Sequence, residues 1–232
     1  MKKIIAIFLI ISFIPLMGFS QAEKQNPYHL NIISNVTAYN IECSKNKQNQ
    51  LVDLEKEIPS IRLDIRYATD NNFTHKQVYS SARAFLREPA AKALAKVQQD
   101  LAERGLGLKV FDAYRPYSAT LIFYDLIKDT LFVASPVKGS RHNRGCAVDV
   151  TLIDLKTMRE LTMPTPFDDF TVKAGATYDD LPEMAKENRA ILIDAMKKQG
   201  FEVFASEWWH FDFKGWESYT LMDISFEELP TP

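Results

Sequence analysis

The stretch Ser140-Arg-His142-Asn-Arg-Gly145-Cys-Ala-Val-Asp149 constrains the fold of this chain more than any other. His142 and Asp149 are both metal-ligand types, yet an extended chain would carry them roughly 23 Å apart. Two ligands of one zinc ion, each about 2 Å from it, lie only about 3 to 4 Å from each other. For the pair to share an ion the chain must curl between them, and Gly145 is the residue whose backbone permits it. Val148 and Val150 flank Asp149 with β-branched side chains, so Asp149 is expected to project from the start of a strand over residues 147–153.

A second dense segment, Glu207-Trp-Trp-His210, complements the first. On a strand, Trp209, Phe211 and Phe213 point to one face, and Trp208, His210 and Asp212 to the other. Glu207 lies three residues before His210 and cannot share its face by strict alternation. If the strand begins near Trp208, Glu207 sits on its approach and can reach a metal-bound water without ligating the ion. Two histidines and one carboxylate leave a zinc coordination position open, as a catalytic site requires. A carboxylate beside the bound water supplies a base. The other two of the four histidines, His29 and His75, fall in polar stretches and read as surface residues. A lone histidine is ordinarily a surface or satisfied core residue, and a Trp pair is ordinarily core. Pattern alone therefore leaves both segments open between a catalytic centre and packing.

The rest of the chain reads as one domain with an N-terminal extension. Lys2 and Lys3 precede an apolar run from Ile4 to Phe19, and the small residues Ser20 and Ala22 offer a cleavage site after either. This is the pattern of a secretory signal peptide over residues 1–22, and it implies export to a periplasmic or extracellular space. A membrane anchor needs about 20 apolar residues, and Pro15 and Gly18 shorten this run. No stable membrane insertion is expected after cleavage. Residues 23–50 are polar, without sustained periodicity, and read as an irregular arm or tether before a globular domain over 51–232. The net charge of -2 excludes a general attraction to nucleic acid. Only Cys43 and Cys146 would enter an oxidising compartment, and they are read as two unpaired thiols.

Ile61, Leu63 and Ile65 alternate with charged residues as in a half-buried strand. Residues 89–103 carry apolar side chains at helical spacing, with a proline start and a glycine stop. A strand over 106–111 follows, then a helix opened by Pro116, a helix over 183–199 closed by Gly200, and an aromatic strand over about 201–213. Strands separated by helices of irregular length, with a hairpin-like end, imply an α+β fold with a central antiparallel sheet flanked by helices. A parallel doubly wound sheet would want shorter and more regular βα units.

At these residues the sequence resembles the VanX-type D-alanyl-D-alanine dipeptidases, zinc peptidases related in fold to D,D-carboxypeptidases and the hedgehog signalling domain. The shared pattern Ser-x-His-x-x-Gly-x-Ala-x-Asp stands here as Ser140, His142, Gly145, Ala147 and Asp149; Glu-x-Trp-His stands as Glu207, Trp209 and His210. Further family-like stretches are Arg66-Tyr-Ala-Thr69 with Asn72-Phe73, Asp112-Ala-Tyr-Arg-Pro116 and Phe167-Asp168, so the resemblance runs from about Leu51 to Phe213. It implies one zinc ion per chain held by His142, Asp149 and His210, with Glu207 as general base and acid. It implies that Arg115 stabilises the charged tetrahedral intermediate, that Asp168 meets the free ammonium of a dipeptide such as D-Ala-D-Ala, and that Ser140 lies near the dipeptide. Structural roles compete for two of these: a salt bridge for Arg115, a turn or cap for Asp168. Asn143 and Cys146 depart from the family pattern, neither at a proposed ligand. The alternatives are a D,D- or L,D-carboxypeptidase acting on peptidoglycan stems, and a zinc-containing binding module without turnover.

Overall fold

The computed structural model describes residues 26–130 and 133–229. The expected signal peptide, residues 1–22, lies outside them. Among the described residues no helix is long and apolar enough to cross a membrane.

The elements run β1 (Ile32–Ile33), α1 (Val36–Lys45), β2 (Leu51–Asp53), α2 (Leu54–Glu57), β3 (Arg62–Leu63), β4 (Phe85–Arg87), α3 (Glu88–Ala102), β5 (Leu106–Asp112), α4 (Tyr117–Ile127), β6 (Ala147–Asp154), α5 (Glu183–Lys198), β7 (Phe201–Phe204), β8 (Glu207–Phe213) and β9 (Leu221–Met222). A five-stranded sheet in the order β3-β5-β6-β8-β7 forms the centre. Every neighbouring pair in it is antiparallel except β3 with β5, which is parallel. The α+β architecture with a central antiparallel sheet is thus the one observed. The strand expected over residues 61–65 shrinks to two paired residues, although Ile61 and Ile65 are both buried.

α3 buries Ala90, Leu94, Val97 and Leu101, the positions that its spacing marks, and Pro89 opens its first turn. It packs on β5 and on α5. Buried Gln98 is met at both ends of its amide: its carbonyl accepts from the Leu108 amide at 2.8 Å and its NH2 donates to Ser60 Oγ at 3.2 Å. The aromatic stretch near the C-terminus is not one strand but a hairpin, β7 and β8, because the chain turns at Ala205-Ser206.

The expectation of an irregular arm over residues 23–50 needs correction. α1 lies within it, capped by the Asn35 side chain on the Ala38 amide at 2.9 Å. Tyr39 is the buried residue of this helix, and its hydroxyl accepts from the Leu51 amide at 2.7 Å. One buried side chain leaves almost no apolar periodicity to read, so the sequence pattern is silent. β1 then pairs in parallel with β9, tying the two ends of the described chain together.

Arg87, 1 % exposed, is the hub between these layers. Its Nε donates to the Arg144 carbonyl at 2.8 Å, its Nη2 to the Thr220 carbonyl at 3.1 Å, and its Nη1 to the Asn49 carbonyl. The guanidinium thereby joins the N-terminal segment, the Ser140–Asp149 turn and β9. Replacing it with methionine strands three carbonyls, each costing about 1–3 kcal/mol when buried unmet. Arg87→Met is expected to lower unfolding free energy by at least about 3 kcal/mol, measured by urea denaturation.

Candidate metal centre

The site begins where β6 does. His142 lies in a single 3-10 turn, His142–Arg144, closed by Gly145 at φ +69°. A Cβ at Gly145 would come within 2.7 Å of a Leu51 methyl, so both conformation and space call for glycine. The Gly145 amide donates to the His142 carbonyl at 3.0 Å, which completes the curl. Asp149 follows on β6, opposite His210 of β8 in the sheet register. Among the described residues, donor atoms of His142, Asp149 and His210 all lie within 4.8 Å of one another. All three residues are buried.

Two further contacts set the imidazoles. His142 Nδ1 lies 2.6 Å from the Ala113 carbonyl, so it carries the proton and Nε2 is left toward the cluster. His210 Nε2 lies 3.0 Å from Asp212 Oδ1, which turns Nδ1 to Asp149 Oδ1 at 3.0 Å. Histidines oriented by a carbonyl and a carboxylate, converging with a third carboxylate, fit a divalent cation. Without a cation the same geometry holds a proton. Burial disfavours a charged His210, but Asp149 and Asp212 overcome it and push its pKa up to about 10. Burial likewise opposes ionisation of Asp149, yet His142 and His210 hold its carboxyl well below the usual range.

β8 does not alternate as expected. Its pairing with β7 shifts between Val203 and Phe204, which stand opposite Phe211 and Glu207 respectively. The irregularity brings Glu207 Oε2 to 3.9 Å from His210 Nδ1. Trp209 lines the same cavity as His210, although alternation had put it on the opposite face. Trp208 instead donates from its indole to Thr165 Oγ1 at 3.0 Å. Glu207 is partly open to the cavity, and burial pushes its carboxyl up.

The cavity over these groups has a volume of about 850 Å³ and is also lined by Arg115, Asp168 and Ser140. Arg115 stands between β5 and α4. Its Nε and Nη2 donate to Asp112 Oδ2 at 3.0 and 2.7 Å, and its guanidinium lies 4.8 Å from the Phe123 ring. The salt bridge and the place in the cavity therefore coexist. Asp112 is held in turn by the Tyr79 hydroxyl at 2.9 Å. Asp168 adopts φ +60°, and both its oxygens accept from the Tyr67 hydroxyl at 3.1 Å. Burial and the nearby Asp149 push its carboxyl well above the usual range. Ser140 Oγ accepts from the His142 amide at 3.2 Å, so it shapes the turn as well as lining the cavity.

Cys146 is buried outside the donor cluster, its thiol pushed up to about 12 by burial, and it does not compete for a cation. Cys43 and Cys146 are both free thiols, and His29 and His75 are exposed. Four residues at the site drew no role from the sequence: Tyr67, Asp112, Arg141 and Asp212. Asp212 had the clearest signal, since two residues along a strand put it on the face of His210.

A buried His–Asp–His donor set, with a glutamate beside it and an arginine lining the same cavity, defines a metallohydrolase site. Comparison with known proteins agrees. A family model described as D-ala-D-ala dipeptidase, of the M15 peptidases, matches residues 47–227, and the chain belongs to that family. It is similar to the D-alanyl-D-alanine dipeptidase of Escherichia coli (strain K12), with 35% identity over 79% of this chain and 94% of the relative. It is similar also to that of Enterococcus faecalis (strain ATCC 700802 / V583), with 30% identity over 71% of this chain and 91% of the relative. Among solved structures, the LdcB LD-carboxypeptidase matches over 78% of each chain at 19% identity and a TM-score of 0.43.

Because His210 holds a proton up to about pH 10 in the cation-free protein, loading a divalent cation at pH 7 should release about one proton from this residue. Cation affinity should therefore fall as pH is lowered. Calorimetric titration in two buffers of different ionisation enthalpy measures the release. Asp212→Ala, which frees the His210 ring, should weaken cation binding about 10- to 100-fold in the same titration.

Proposed function

We propose that the chain is an exported zinc-dependent dipeptidase that hydrolyses D-alanyl-D-alanine in cell-wall peptide metabolism or glycopeptide resistance. His142, Asp149 and His210 would hold the zinc ion. The observation that carries the reading is Glu207, placed by the β8 irregularity beside the donor set without belonging to it.

When bound, zinc supplies Lewis-acid polarisation of the scissile carbonyl and a lowered pKa for the attacking water. Glu207 takes the proton from that water as it attacks and returns it to the leaving amine. Its carboxyl, pushed up by burial, is suited to both steps. Arg115 uses two nitrogens to grip Asp112 and keeps Nη1 for the developing oxyanion. A guanidinium so fixed is already oriented before reaction. Asp168 receives the substrate ammonium, which relieves the cost of a charge buried near Asp149. Ser140, at the rim of the same turn, lies against the dipeptide backbone.

Export rests on the Lys2-Lys3, apolar and small-residue pattern of the first 22 residues. Mass spectrometry of protein recovered from the periplasm is expected to show loss of residues 1–20 or 1–22.

Glu207→Ala is expected to keep zinc but lose about 10²- to 10⁴-fold in kcat, whereas His210→Ala should lower zinc content itself. Unchanged turnover in the first variant would remove the base assignment. Zinc-loaded protein offered D-Ala-D-Ala, L-Ala-L-Ala and a stem pentapeptide should release alanine from the first alone. Release from the pentapeptide instead would point to a carboxypeptidase.

A further inference from the structure

The cavity carries charge of both signs: Asp168 and Glu207 line it together with Lys138, Arg141 and Arg144. The three arginines of the cavity differ in how far they are already engaged. Arg115 spends two nitrogens on Asp112, and Arg144 donates to the Tyr219 carbonyl. Among the described residues Arg141 has only Asp212 as an ion-pair partner, with Nε 3.4 Å from Oδ2, a contact that makes no hydrogen bond.

Arg141 is nevertheless held in place. Its guanidinium carbon lies 5.4 Å from the centre of the Phe204 ring and 5.0 Å from that of Trp216. Two rings restrict the rotamers of a side chain that is otherwise 37 % exposed. An oriented fork of N–H donors matches a carboxylate, which it can take in a bidentate manner. The residue also approaches the donor set without belonging to it. Asp212, which Arg141 approaches through Oδ2, holds His210 through Oδ1 at 3.0 Å. A dipeptide carries its terminal carboxylate one residue beyond the scissile carbonyl, and consecutive Cα atoms are about 3.8 Å apart.

We propose that Arg141 is a specificity-determining residue that receives the free C-terminal carboxylate of the substrate. The inference rests on the dipeptidase reading above and extends it. Asp168 selects the positive end and Arg141 the negative end, so the cavity recognises a zwitterion one peptide bond long. A peptide extended at its C-terminus presents a neutral amide to Arg141 in place of the carboxylate, and one extended at its N-terminus brings an amide in place of the ammonium to Asp168.

The test uses the zinc-loaded Glu207→Gln protein, which binds without turnover, titrated calorimetrically with D-Ala-D-Ala and with its C-terminal amide. With Arg141 in place the acid should bind about 10- to 100-fold more tightly than the amide. With Arg141→Gln added, the two should bind within about twofold of each other. Arg141→Lys, which keeps a cation beside Asp212 but lacks the fork, should show intermediate discrimination, and it decides the matter if the glutamine variant loses zinc. Equal binding of acid and amide with Arg141 present, undiminished discrimination in both variants, or no binding of either ligand would overturn the proposal. Turnover of D-Ala-D-Ala by the protein with Glu207 intact is measured in parallel. Its absence, with Arg141-dependent discrimination intact, would overturn the dipeptidase reading and leave the carboxylate site standing.

Discussion

The left-handed turn at Gly145 is the constraint on which the site depends. It lets a histidine on a loop and an aspartate on a strand meet within a few residues of chain. The turn is clamped from outside: the Arg87 amide donates to the Gly145 carbonyl at 2.8 Å, and the Arg87 side chain takes the Arg144 carbonyl. Leu51 and Arg87 fill the space that a Cβ would need. The curl is therefore held by β2 and β4 together, and those strands are held by the N-terminal helix through Tyr39. A feature of the cavity is in this way supported from the far side of the molecule.

Around that turn the buried polar groups form chains that each end on the cavity. Tyr79 holds Asp112, which holds Arg115. Ala113 sets His142, and Asp212 sets His210. Tyr67 holds Asp168. Buried charge is costly unless paired and hydrogen-bonded, so each link makes the next one tolerable. The same economy leaves two groups imperfectly met, Asp168 and Arg141, and these are the ones assigned to the ends of a zwitterionic substrate. Tyr114 completes the frame by exchanging two hydrogen bonds with the Ile224 backbone, fixing the residues after β9 beside the Asp112–Pro116 stretch.

Much of this was legible in the sequence wherever a local rule acts alone. Proline starts and glycine stops marked α3, α4 and α5, and β-branched flanks marked β6, because these signals act within a few residues. The need for a curl at Gly145 followed from chain length against ligand spacing. The α+β class followed from the irregular succession of helices and strands, and the motif order pointed to the VanX-type dipeptidases.

What only the tertiary structure decided was whatever depended on pairing between distant segments. The N-terminal helix has a single buried side chain, and its place comes from Leu51 and β9, so no periodicity announced it. The position of Glu207 depends on a register shift between β7 and β8, which is set by how two strands meet. Trp209 follows it into the cavity for the same reason. Arg141 and Asp112 became more than motif neighbours once Phe204, Trp216 and Tyr79 were seen against them. The sequence by itself determined which residue types and which turn a metal centre here requires, since those are fixed by backbone freedom and ligand chemistry. Fold alone decided which charges were paired, which were left partly unmet and how Glu207 came beside the donors, since those are fixed by contacts between segments far apart in the chain.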